Sequence, residues 1–175
     1  MLAKYLRNTL IYIALIASIT ACASAPSGNY STHTGPYGKT MVVGQLSWKD
    51  WKKAANWDEY SAPEYSPNPL AAEKIQEYTD GLDVHYYIFG ASWCPDSEEE
   101  MPRLYKLLNF AEIDSDRILL FGLDREKSEP SRTAQMYAIT RVPTLVIVRD
   151  GVEMGRIIEH PSRSWETDIL SILFQ

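Results

Sequence analysis

The sequence predicts an α/β fold, a central mixed β-sheet flanked by helices and preceded by an N-terminal extension. Three observations predict it. From about residue 70 onward, helical and strand-like patterns alternate, which favours right-handed crossovers and parallel pairing. Residues 84–89 form a β-rich, nearly continuous apolar run, as in a strand covered on both faces. Asp150-Gly151 separates two further apolar runs and signals a tight hairpin, so one strand pair should be antiparallel.

The chain has 175 residues, and its start reads as an export signal. Lys4 and Arg7 give a positive beginning, and residues 9–19 are apolar, a run shorter than the roughly 20 residues that a membrane-spanning helix needs. The run ends in Ile19-Thr20-Ala21-Cys22, which resembles the lipobox of bacterial lipoproteins. That resemblance implies a signal peptide over residues 1–21 and lipidation of Cys22. Several acyl chains on one residue anchor stably where a single chain does not. Ala23 and Ser24 imply the periplasmic face of the outer membrane if the host is Gram-negative. The alternative is an ordinary secretory signal in which Cys22 is incidental.

Residues 22–38 are rich in Ser, Thr, Gly, Pro and Ala, cannot bury a core, and are expected to be a flexible tether. As a random coil it would hold the domain roughly 20–25 Å from the lipid. Residues 39–69 make an N-terminal extension, and residues 70–175 the main domain. With 17 Lys plus Arg against 23 Asp plus Glu, the chain is acidic. A negative surface is poorly suited to nucleic acid, so nucleic-acid partners are not expected.

Within the extension, residues 41–46 read as a strand, and Ser47 offers an N-cap to Trp48, Trp51 and Ala55 at helical spacing. Trp57, Tyr60 and Tyr65, among three prolines, predict an irregular connection pinned by aromatics, with a partner surface as the alternative. Asn68-Pro69 caps and opens a helix that stops at Asp80-Gly81. The strand over 84–89 follows. Next comes a helix from about Cys94 with Met101, Leu104, Leu107, Leu108 and Ala111 on one face and Pro102 inside it. A strand at 117–123, a helix at 129–137, strands at 145–148 and 152–158, and a closing helix at 164–173 complete the expected order.

The joint between strand and helix, Phe89-Gly90-Ala91-Ser92-Trp93-Cys94-Pro95-Asp96-Ser97, resembles the active-site turn of the thioredoxin superfamily, with Ser97 in place of the second cysteine. Pro102 and the Val142-Pro143-Thr144 loop resemble that family too, and the element order is similar across most of residues 70–175. The resemblance implies a thioredoxin-like fold and a nucleophilic Cys94. It also implies a cis peptide before Pro143, and a substrate surface formed by Trp93, Pro95, Val142, Pro143 and Thr144. Two departures qualify the chemistry. Ser97 cannot attack a mixed disulfide, although its hydroxyl could donate a hydrogen bond to the Cys94 thiolate. The buried acid that the family carries six residues before its nucleophile is Ile88 here.

A cysteine attacks as its thiolate. A helix N-terminus favours that anion by about 0.3–1 kcal/mol. Asp96, Glu98, Glu99 and Glu100 oppose it by about 0.5 kcal/mol each in water. The resemblance therefore implies thiol–disulfide exchange through one cysteine, with an external thiol resolving each mixed disulfide. The expected partners are protein thiols or disulfides of the cell envelope, or a small-molecule thiol, with the membrane reached through the lipid anchor. A binding or chaperone module without catalysis is the alternative, and thiol peroxidase chemistry a weaker one. No cofactor is expected, and His33, His85 and His160 show no metal-ligand spacing.

Overall fold

In the computed structural model, which describes residues 28–35, 38–57 and 61–175, six strands form one mixed sheet. They are β1 (Tyr30–Thr34), β2 (Thr40–Leu46), β3 (Val84–Gly90), β4 (Ile118–Gly122), β5 (Thr144–Arg149) and β6 (Val152–Ile158). The spatial order is β1-β2-β4-β3-β5-β6. The helices are α1 (Trp48–Ala55), α2 (Pro69–Gly81), α3 (Pro95–Phe110), a short α4 (Thr133–Met136) and α5 (Trp165–Leu173). This is the expected α/β architecture, with the thioredoxin-like order of strand, helix, strand, helix, hairpin and closing helix from β3 to α5. The signal-like residues 1–21, Cys22 and Tyr60 lie outside the described residues.

Strand β3 owes its central place to the near-continuous apolar run read from the sequence. Tyr86 and Ile88 enter a large cluster beneath α1, α3 and α5, while Phe89 and the partly buried Tyr87 enter a second cluster containing Cys94. Period-two alternation sends neighbours to opposite faces, so one strand feeds both cores. It pairs parallel with β4 and antiparallel with β5. The Asp150-Gly151 turn joins β5 to β6 as expected, with Asp150 at φ 52° and Gly151 at φ 76°.

Two expectations need correction. The tether reading fails over Tyr30–Thr34, which forms β1, antiparallel to β2. Four of its five residues are exposed, and an edge strand held by backbone pairing needs little apolar surface beyond Tyr30. The parallel pairing expected of the alternating segment holds between β3 and β4, whereas β2, from the extension, runs antiparallel to β4. Two helices and a long connection separate β2 from β3, so no single crossover sets its direction. The helix expected over 129–137 shortens to α4. Glu129 folds back and accepts hydrogen bonds from the Ser131 amide at 2.5 Å and the Ala134 amide at 3.1 Å, which occupies the turn that the helix would have used.

The aromatics of the extension do pin their segment. Trp48 stacks on Tyr105 with centroids 4.1 Å apart, and Trp51 and Trp57 are buried edge to face at 5.4 Å. Tyr65 donates to Glu166 at 2.9 Å. The extension is therefore built into the main core and is not appended to it.

Candidate active site

The site starts from two glycines. Gly90 at the end of β3 pairs with Gly122 at the end of β4. A Cβ on Gly90 would lie 2.3 Å from the Met101 sulfur, and one on Gly122 would lie 2.3 Å from the Val42 carbonyl oxygen. Bare backbone at both ends lets α3 and β2 approach the strand tips. The chain then turns through Ala91–Cys94, closed by the Cys94 amide donating to the Ala91 carbonyl at 3.0 Å.

Cys94 is the N-cap of α3, and Pro95 follows at the first helical position, where its missing N–H costs nothing. The Cys94 carbonyl accepts the first helical bond, from Glu98 at 3.0 Å, while its side chain makes no capping bond. The thiol is left to face across the sheet. It donates to the Val142 carbonyl at 3.4 Å, and the Val142-Pro143 peptide is cis. Antiparallel β3–β5 pairing, with Phe89 opposite Thr144, carries this loop to the cysteine turn. The Thr144 hydroxyl donates to the Arg141 carbonyl at 2.8 Å, and the Glu159 amide to the Pro143 carbonyl at 2.7 Å, which fixes the loop from both sides.

The expected site residues thus converge: Trp93, Cys94, Ser97 and the Val142-Pro143-Thr144 loop lie around one turn. Access to them is narrow. Cys94 is 8% exposed, Val142 4%, and Thr144 2%. Pro143 is buried as well, whereas Trp93 is half-buried and Pro95 exposed. Ser97 is fully buried, and the hydrogen bond it makes is with the Ala91 amide at 3.2 Å, so its hydroxyl holds the turn. Ile88, in place of an acid, is a fully buried core residue.

Most of the acidic run is neutralised locally. Glu98 pairs with Lys39 at 3.0 Å, and Arg103 binds Glu99 at 2.9 Å and Glu100 at 2.7 Å. Glu100 also accepts from the Trp165 indole at 2.8 Å. Asp96, exposed in the first turn of α3, takes part in none of these pairs. A cleft of about 560 Å³ opens beside it, lined by Glu99, Arg103, His160 and Trp165 but not by Cys94. Among the described residues no group of three or more His, Cys, Asp and Glu side chains could hold a metal ion.

Sequence reasoning missed two sets of site residues. Ser92 is 3% exposed, and its hydroxyl donates to the Thr40 carbonyl at 2.7 Å and accepts from the Val42 amide at 2.9 Å, tying β2 to the cysteine turn. A lone serine in a turn carries no signal of such a partner. Arg125 and Lys127 lie over the Trp93 ring, with the guanidinium carbon 4.7 Å and the ammonium 5.1 Å from its centroid. Their loop follows β4 and becomes a neighbour of residue 93 only through the sheet.

No protein-family model matches the chain, and no curated protein sequence matches it. Solved structures that resemble it include the following two. One is a single-site mutant of thioredoxin from Halobacterium salinarum, with 20% identity over 62% of this chain and 88% of that one, at a TM-score of 0.37. The other is a protein of unknown function from Pseudomonas aeruginosa, with 17% identity over 58% of this chain and 71% of that one, at a TM-score of 0.38.

Proposed function

We propose that this thioredoxin-fold chain acts in thiol–disulfide exchange through Cys94 alone. One observation carries the reading: the thiol sits at the N-cap of α3 and meets the Val142 carbonyl beside a cis proline, while a buried hydroxyl stands at position 97. On loss of its proton the Cys94 sulfur gives up its bond to the Val142 carbonyl and attacks a substrate disulfide R–S–S–R′. A Cys94–S–S–R bond forms as the S–S bond breaks, and R′S⁻ leaves with the electron pair and takes up a proton. Cys94 is oxidised and R′S is reduced. Ser97 cannot continue the sequence, so an external thiolate R″S⁻ attacks the substrate sulfur of the mixed disulfide; an R–S–S–R″ bond forms, R″S is oxidised, and Cys94 leaves as its thiolate, returned to its reduced form.

The setting we propose is the bacterial envelope. The lipobox-like Ile19-Thr20-Ala21-Cys22 supports lipidation at Cys22 and attachment to a membrane. Envelope proteins bearing thiols or disulfides would be the partners, or a small-molecule thiol. In a Gram-negative host the domain would face the periplasm from the outer membrane.

The low exposure of Cys94 and its bond to a carbonyl favour a second reading, a binding module that keeps the groove without the chemistry. Trapping separates the two. Mixed-disulfide partners captured from envelope extracts should appear with the native chain and vanish in Cys94→Ala. Partners retained by Cys94→Ala without covalent linkage would favour the binding module. Incorporation of labelled fatty acid, lost in Cys22→Ala, tests the anchor.

A further inference from the structure

We propose that Arg125 and Lys127 select disulfides and thiols carrying a carboxylate next to the reacting sulfur; this rests on the exchange reading above. In a chain of net charge −6, two cations converge on the indole that precedes the nucleophile. Trp93 is itself fixed, its Nε1 donating to the Leu123 carbonyl at 3.1 Å, and Leu123 leads directly into the loop bearing both cations. The stack therefore has a defined place beside Cys94. Neither cation forms a salt bridge to a carboxylate within the described residues. Lys127 donates to the Arg125 carbonyl at 3.0 Å, and the guanidinium lies on the ring.

A guanidinium held over an indole still has N–H groups directed away from the ring. Carboxylates match such groups in a forked geometry, and the neighbouring ammonium adds a second positive charge. Most acids of the same region are engaged elsewhere. Asp124 accepts from the Ser128 amide at 2.7 Å, and Glu98, Glu99 and Glu100 are held by Lys39 and Arg103. Exposed Glu126 and Asp96 remain, so the approach to Cys94 has two cations gathered at the Trp93 ring with Glu126 between them in the loop, and Asp96 at the start of α3.

In the chemistry, the Cys94 thiolate attacks the disulfide sulfur bearing the carboxylate arm, a Cys94–S–S–R bond forms, and the other half departs as its thiolate. The cations bind the arm and take no part in bond making. A charge series on one scaffold tests this: dithiodipropionate (anionic), hydroxyethyl disulfide (neutral) and cystamine (cationic). The full chain carrying Cys22→Ala leaves Cys94 as its one thiol. Each rate is divided by the rate of the same disulfide with the urea-unfolded chain, which removes differences in intrinsic reactivity.

The normalised rate should fall from anionic to neutral to cationic, by roughly three- to tenfold across the series at low salt. The ordering should shrink at 0.5 M salt, in proportion to screening over about 4–5 Å. It should collapse in Arg125→Gln/Lys127→Gln and persist in Lys74→Gln, which changes a distant exposed cation on α2. Peptide disulfides flanked by Asp or by Lys identify the source of the carboxylate. Ordering in both sets assigns the site to acidic protein segments, and ordering in the small disulfides alone assigns it to a small-molecule thiol. Equal normalised rates, or a preference for cystamine, overturn the proposal. Failure of all three disulfides to react would instead overturn the exchange reading beneath it.

Discussion

Cys94 and Val142, 48 residues apart in sequence, are joined by a hydrogen bond from the thiol to the backbone carbonyl at 3.4 Å. The contact depends on two separate pieces of folding. The glycine-ended β3 delivers Cys94 to the cap of α3, and β3–β5 pairing delivers the cis-proline loop. A thiolate cannot donate this bond, so in the proposed exchange the attacking sulfur would leave the carbonyl open to an incoming N–H. An extended substrate segment could supply one, as in strand addition.

Replacing Ser97 by Cys should supply the missing resolving thiol. In a Cys22→Ala background, Ser97→Cys should lose both free thiols on mild oxidation and regain both on reduction, by thiol titration and intact mass. Two thiols that stay free under oxidant would show that residues 94 and 97 cannot close a bond in this turn. The substitution also removes the hydroxyl that accepts from the Ala91 amide, so a modest loss of stability, about 1 kcal/mol, should accompany it.

Ser92→Ala should destabilise the fold by about 1–3 kcal/mol, because it leaves the buried Val42 amide and Thr40 carbonyl without their partner. The urea midpoint should fall with an unchanged slope. Since this hydroxyl ties β2 to the cysteine turn, the variant should also change the rate of Cys94 alkylation more than an equally destabilising change in α2 does.

Gly122→Ala should cost more than Gly90→Ala. The added methyl at position 122 meets the Val42 carbonyl, which is backbone, whereas at position 90 it meets the end of the Met101 side chain, which can change rotamer. Overpacking at such sites costs about 1–3 kcal/mol, and the larger figure belongs to Gly122. Denaturant titration of the two variants side by side checks the order.

Acid stability should depend on Glu166. Burial pushes its carboxyl up. Its own amide, the Asn68 amide, the Tyr65 hydroxyl and Ser164 outweigh this and hold it below the ordinary value of 4.5. The folded state therefore binds fewer protons here than the unfolded state. This stabilisation is complete above about pH 4.5 and disappears as pH falls through the lower folded value. Glu166→Gln should lower stability at pH 7 and flatten its decline between about pH 5 and 3, measured by urea midpoints. An unchanged slope in that window would exclude Glu166 as a source of acid lability.

Much of the scaffold was legible in residue pattern. The apolar continuity of 84–89 gave a two-faced strand, Asp150-Gly151 a hairpin, and Ser47 and Asn68 two helix caps that each accept from a first-turn amide. Cys94, Trp93 and the Val142-Pro143 loop were legible through a resemblance that spans most of residues 70–175. What escaped was set by non-local pairing. Tyr30–Thr34 is a strand only because β2 offers it an edge, and Glu129 ends a helix by folding back on it. Arg125 and Lys127 join the site only because β4 lies beside β3. Short-range periodicity contains none of these relations.

The central claim, that the fold makes Cys94 a nucleophile, is tested most directly by one comparison of rates. In Cys22→Ala protein at pH 7, alkylation of Cys94 by iodoacetamide should proceed at least as fast in the folded chain as in the urea-unfolded chain. Protection of the folded thiol by tenfold or more would contradict the claim and leave Cys94 a buried packing residue.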